Sequence, residues 1–459
     1  MPTIFSKRHP SSGRQRNLLS PIRQVAWGLA LLLCAPAAWA GSITNPHQAY
    51  EALDQGSPRV RIAPDAATLQ ALQDYLSRQF QKKPLAAETG AHLIGRREGG
   101  GGDVVWAFRS KKPRTVKVVA ERGRSWPMIR LNDSDWWVAA ERFPDFSSCH
   151  YRFEVDGQRQ TQSQRFGFET YPPNHPDSKV QAGVPQGELT DMGTHVSKIH
   201  FPGAQRQWWI YVPAQYKQHP EKPASLIVFN DGGGFCKGDG NACIVLDNLI
   251  HKQKLPVTIA LFVNPGSFPA AKGTPGRSNR SDEYDTCTPR FATFLDEEIL
   301  NIVREKYNIS TDPWDHAICG SSSGASCAFT AAWHRNDLFR RVISFVGSYC
   351  DFRPVDAYPV YQEQGFRLES NRFSQWKTAH DYPGLIRKTN PRREIRVVLQ
   401  DGKNDLDNTL GNWFLNNERM AAALSYAGYP YQFIIGEGMH SSQHGKSVLP
   451  DVLTWAFAH

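Results

Sequence analysis

Zinc-type spacings of cysteine and histidine are absent from the 459 residues, which argues against a zinc centre. No segment recurs at a fixed period, so repeat architectures are excluded. The apolar run Val25 to Cys34 is too short for a confident bilayer span. A mean hydropathy of −0.49 speaks against several membrane passes. The triplet Gly232 to Gly234 lacks a following Gly-Lys-Ser/Thr, so it is not a nucleotide phosphate loop. Acids are missing altogether from the first forty residues.

That acid-free leader carries Lys7, Arg8, Arg14, Arg16 and Arg23, then the apolar run, then Ala38-Trp39-Ala40 with small residues where a signal peptidase cuts. Residues 1–40 therefore read as an export signal. The expected location is periplasmic or secreted, with no stable membrane anchor after cleavage. Removing five cations from the formal +9 leaves 48 bases against 44 acids, a net +4, too small to argue for nucleic acid. Seven cysteines remain: Cys149, Cys236, Cys243, Cys287, Cys319, Cys327 and Cys350. An oxidising compartment permits disulfides, and Cys236 and Cys243 are close enough in sequence to staple the glycine loop between them and the preceding strand.

The length suggests two domains. Residues 41–100 read as a helical and linker segment, with helical periodicity over Ala67 to Lys82 and a flexible break at Gly99 to Gly102. Residues 101–170 read as several short strands between turn signals, a small β-sandwich. The Pro-rich stretch opens a linker over 171–190. From 191 to 459, strands alternate with helices, which implies a mostly parallel sheet covered by helices on both faces, an α/β architecture.

Within that last region, Gly320-Ser321-Ser322-Ser323-Gly324 matches G-x-S-x-G between an apolar strand and an apolar helix. A sharp strand-to-helix turn of this kind projects a serine hydroxyl above the sheet, which marks Ser322 as a nucleophile. A serine needs a base, and the α/β-hydrolase order is Ser, acid, His. The loop after strand Ile395 to Gln400 offers Asp401, Asp405 and Asp407, of which Asp405 is the choice. The loop after Tyr431 to Ile435 offers His440 and His444; His440 is preferred as base and His444 is a substrate-binding candidate. Gly232, Gly233, Gly234 and Ser323 are the candidate oxyanion donors. No cofactor or metal is called for.

The stretches Ile227 to Gly234, Asp247 to Ile250, Arg280 to Asp285, Cys319 to Gly324, Gln400 to Asn408, Gly411 to Trp413 and Glu437 to His440 resemble the esterase-D-like α/β-hydrolases. More narrowly, they resemble the enterochelin (enterobactin) esterases and their exported relatives. The resemblance implies a Ser322, Asp405, His440 triad, a substrate-side role for Arg280 and Glu283, and an Ig-like domain preceding the hydrolase. It also implies a small-molecule ester substrate, the trilactone of a ferric catecholate siderophore. A feruloyl or acetyl carbohydrate ester, acyl transfer, and a non-catalytic binding protein are the competing expectations. The stretch Pro354 to Lys377 departs from the family pattern as an insertion.

Overall fold

A computed structural model describes residues 42–53, 65–81, 89–120, 124–172, 174–238, 241–352 and 378–458. The leader and the Pro354 to Lys377 insertion lie outside the described residues. Among those described, no helix is long and apolar enough to cross a membrane.

The N-terminal region is two antiparallel sheets packed face to face. One orders Gly90–Arg96, Gly102–Arg109, Trp136–Phe143 and Ile129–Arg130; the other is built on Val116–Ala120, Ser147–Val155 and Gln164–Phe168. Alternating residues supply the filling: Trp106, Phe108, Tyr151, Phe153, Phe166 and Phe168 are buried between the sheets. The outer face of the first sheet, with Val105, Ala107 and Val138, is covered by Leu72, Tyr75 and Leu76 of helix Ala66–Phe80. That helix starts at Asp65, whose carboxylate accepts the Thr68 N–H.

Two boundaries move. Gly99 to Gly102 is not a domain break but a hairpin turn. Gly99, Gly100 and Gly101 have φ of 88°, 102° and 73°, and Gly90 to Arg96 pairs in register with Gly102 to Phe108. The sandwich thus starts inside the segment assigned to helix and linker, because Gly90–Arg96 has too few β-branched residues to read as a strand. The stretch after residue 171 is tied down rather than loose. Asn248 Nδ2 donates to the carbonyls of Asp177 and Lys179, and Gly187 N–H donates to Asp247.

The C-terminal region is a ten-stranded mixed sheet. Thr258–Val263, Ser225–Asn230, His316–Ser321, Arg341–Phe345, Arg396–Gly402 and Tyr431–Gly436 run parallel in that spatial order. Gln205–Val212 and Glu188–Val196 add antiparallel strands at the other side. Helices Ser323–His334 and Trp413–Tyr426 bury Phe329, Met420 and Leu424 on one face; Ala242–His251 and Leu449–Phe457 bury Leu246 and Leu453 on the other. This is an α/β-hydrolase sheet behind a small β-sandwich. Loops leaving the carboxyl ends of five parallel strands converge on one place.

Candidate active site

The strand His316–Ser321 passes into the helix Ser323–His334 through Ser322, whose φ is +59° and ψ −127°. A non-glycine residue rarely holds that conformation, at a cost of about 1–3 kcal/mol. The neighbours enforce it. Ser322 N–H donates to Phe345 O, and Ser322 O accepts from Ala325, Ser326 and Ser348 N–H. The flanking glycines are required by space: a Cβ on Gly320 would stand 2.1 Å from Gly324 O, and one on Gly324 2.8 Å from Asp231 Oδ2.

The loop after Tyr431–Gly436 brings His440 Nε2 to 2.7 Å from Ser322 Oγ, while Nδ1 lies 2.7 Å from Asp405 Oδ1. Burial, foremost, pushes the His440 imidazole down to about 4. Asp401 and Glu169 oppose that fall, whereas Arg280 and Arg165 add to it. The ring is therefore neutral near pH 7, the state in which Nε2 can accept a proton. Trp413 packs edge-on against it with ring centroids 5.6 Å apart.

Asp405 is buried, and Oδ1 also accepts the Leu406 N–H at 2.5 Å. Burial raises its pKa. Asp401, fully buried, is raised much further by burial and by the charge of Asp405, to which it hydrogen-bonds. It accepts from Gly402 N–H and Asn417 Nδ2. Asp407 is exposed on a two-residue strand, and both ring nitrogens of His440 are engaged by Asp405 and Ser322.

Several expected residues sit elsewhere. Glu283, implied to face substrate, is fully buried in a two-point ion pair with Arg206 at 2.7 and 3.1 Å and also accepts from Gly266 N–H and Asn279 Nδ2. A carboxylate so enclosed braces the fold and cannot touch a ligand. His444 is buried too: its ring stacks on Tyr171 at 4.1 Å, and Nδ1 accepts from Gln400 Nε2. It is no substrate contact. Gly233 N–H is taken by Asn264 Oδ1 and Gly234 N–H by Asp231 O, which removes both as oxyanion donors. Gly232 and Ser323 keep N–H groups that no hydrogen bond to a described residue engages. Arg280 stays at the rim, a third of its side chain exposed, paired with Asp231 at 2.9 Å. Cys236 and Cys243 are free thiols, not a staple.

Residues not foreseen complete the site. Ser348 Oγ stands 3.2 Å from Ser322 Oγ and accepts from Trp413 Nε1 at 3.0 Å. It follows strand Arg341–Phe345, so scanning the carboxyl end of every parallel strand could have found it. Arg165 and Glu169 come from the sandwich, where no motif points to them. Among the described residues, no group of His, Cys, Asp and Glu is arranged to hold a metal ion.

A family model described as "Putative esterase" matches residues 200–454. Curated proteins yield no match. Solved structures similar to this chain include the enterobactin esterase of Shigella flexneri, crystallised with 2,3-di-hydroxy-N-benzoyl-glycine. It is 16% identical, over 82% of this chain and 97% of that one, with a TM-score of 0.49. The ferric enterobactin esterase of Salmonella typhimurium is 17% identical over 80% and 96%, TM-score 0.47. A CE1 ferulic acid esterase from Anaeromyces mucronatus is 16% identical over 63% and 98%, TM-score 0.42.

Proposed function

The chain belongs to this esterase family, and from that premise we propose that it hydrolyses a carboxylic ester through Ser322, His440 and Asp405. One observation carries the reading: an unbroken relay of 2.7 Å contacts from the Ser322 hydroxyl through the His440 ring to Asp405. Ser322 Oγ attacks the ester carbonyl as His440 Nε2 takes its proton. Asp405 holds the Nδ1–H tautomer and offsets the imidazolium charge. The N–H groups of Ser323 and Gly232 receive the developing oxyanion, aided by the N-terminus of the 12-residue helix beginning at Ser323. His440 then protonates the leaving alcohol, and water attacks the acyl-enzyme by the reverse sequence.

The substrate in this reading is the trilactone of a ferric catecholate siderophore, cleaved in the periplasm or outside the cell to release iron. Its support is the motif resemblance, the export-type leader, and two guanidiniums, Arg280 and Arg165, whose charge is felt at His440. A catecholate iron complex is anionic, and cations at the mouth of the site favour it.

Ferric and iron-free siderophore triesters, incubated with the wild type and with Ser322→Ala and followed by mass spectrometry, test both levels. Ring-opened and monomeric products from the wild type alone are expected. Triester left intact by both proteins removes the siderophore; equal turnover by both removes the serine mechanism.

A further inference from the structure

The loop that carries His440 is held from two sides. On one, the acid loop grips it: Lys403 N–H donates to Gly436 O, Asn404 N–H to Gly438 O, and Asn404 Nδ2 to Glu437 O. On the other stands the end of the β-sandwich, some 270 residues earlier in the chain. There Glu169 Oε1 accepts the Met439 N–H at 3.1 Å, and Oε2 accepts the Ser441 hydroxyl. Those are the residues immediately before and after His440. Two positions on, Tyr171 OH accepts the Glu437 N–H at 3.0 Å, and its ring lies flat on His444.

The glycines of the loop fit this grip. Neither Gly436 nor Gly438 has a left-handed φ, so turn geometry does not demand them. Space does. A Cβ on Gly438 would stand 2.6 Å from Glu169 Oε1, and one on Gly436 2.6 Å from Tyr171 OH. The sandwich yields in turn: a Cβ on Gly167 would meet Met439 Cε at 2.8 Å. Glycines on both partners leave room for the side chains that meet there, and a buried carboxylate gives both oxygens to the residues flanking one histidine. A carboxylate withdrawn from water is costly unless its acceptors are filled, and here the histidine loop fills them.

We propose that Glu169 and Tyr171 are positioning residues of the catalytic centre, through which the β-sandwich sets the aim of the His440 ring at Ser322. The role rests on the triad reading above. It makes the sandwich a working part of the site, acting on the base and not only on the ligand.

The full-length chain serves for the test, with Glu169→Ala, Glu169→Gln, Tyr171→Phe and Ser322→Ala. Turnover of p-nitrophenyl butyrate gives kcat and KM; a small fluorophosphonate reports the reactivity of Ser322 without a bulky ligand; thermal melting checks folding. Glutamine can still accept from Met439 and meet Ser441, so it is the conservative variant. Glu169→Ala is expected to lower kcat and the labelling rate together by tenfold or more, with KM within about twofold, since small misplacements of reacting groups cost up to about a hundredfold. Glu169→Gln is expected to recover most of that loss, and Tyr171→Phe to lie between. Unchanged kcat and labelling in a folded Glu169→Ala overturn the proposal, as does a loss confined to KM. If Glu169→Ala does not fold, Tyr171→Phe decides alone by the same criteria. Wild-type-level turnover by Ser322→Ala is a different failure, that of the triad itself.

Discussion

Asp401 and Asp405 share one dry corner behind His440, hydrogen-bonded to each other, with Asp401 fully buried. Two carboxylates cannot both ionise in such a place. Asp405, facing the Nδ1–H of His440 and the Leu406 N–H, takes the charge; Asp401, raised furthest, keeps its proton. Asparagine can imitate a neutral carboxyl at 401 but not a carboxylate at 405. Asp401→Asn is expected to hold kcat within roughly fivefold, whereas Asp405→Asn falls by roughly 10³–10⁴, the scale seen when a triad histidine loses its anionic partner. Steady-state kinetics of the two variants decide it, and the opposite ranking would make Asp401 the acid.

The strained backbone at Ser322 implies a trade between stability and reactivity. Glycine tolerates φ of +59° where serine does not. Ser322→Gly is expected to raise stability by about 1–2 kcal/mol while abolishing turnover. Denaturant unfolding of the two proteins measures it, and an unchanged or lowered midpoint would mean the bend stores no strain.

Two titrations bear on the acid limit of activity, the lowered His440 ring and the raised Asp405 carboxyl. Only the neutral ring accepts a proton from Ser322, and the folded ring is pushed down to about 4 by burial above all. Asp405 must also keep its charge, and burial pushes its carboxyl up to about 6, so activity should fall first as pH drops through about 6 and further as the ring takes a proton near 4. Arg165 is a cation, so removing it makes the imidazolium less unfavourable: Arg165→Gln should move the acid limb upward. The shift should shrink at high salt because Arg165 is exposed. Profiles of kcat/KM from pH 3 to 8 on a neutral ester, at two ionic strengths, test this. Full activity retained at pH 5 in the wild type would contradict it.

The hydrolase half was legible because its signals are local. Apolar strands such as Ser225–Asn230 fall where periodicity put them, and a G-x-S-x-G motif between strand and helix has few other uses. The residues the chain brings to the nucleophile are Ser322, Asp405 and His440, each in a loop leaving a parallel strand. What local pattern could not convey was which polar groups already have partners. Glu283 looked available until Arg206, 77 residues away, enclosed it, and Gly233 until Asn264 took its N–H. Glu169 was invisible for the same reason: its meaning lies in a loop it meets only after folding. The hairpin at Gly99 to Gly102 hid behind a composition that also fits a linker.

The indole of Trp413 has a consequence for the hydrogens around the nucleophile. An indole nitrogen can only donate, so Ser348 Oγ receives at that end; once the Ser322 hydrogen is committed to His440 Nε2, the hydrogen between the two serines must come from Ser348. That commitment comes from Asp405, which holds the ring as the Nδ1–H tautomer and leaves Nε2 to accept. With Asp405 fixing the tautomer at one end and an obligate donor at the other, the chain of hydrogen bonds runs one way, and the direction of the first proton hop is set before any ester arrives.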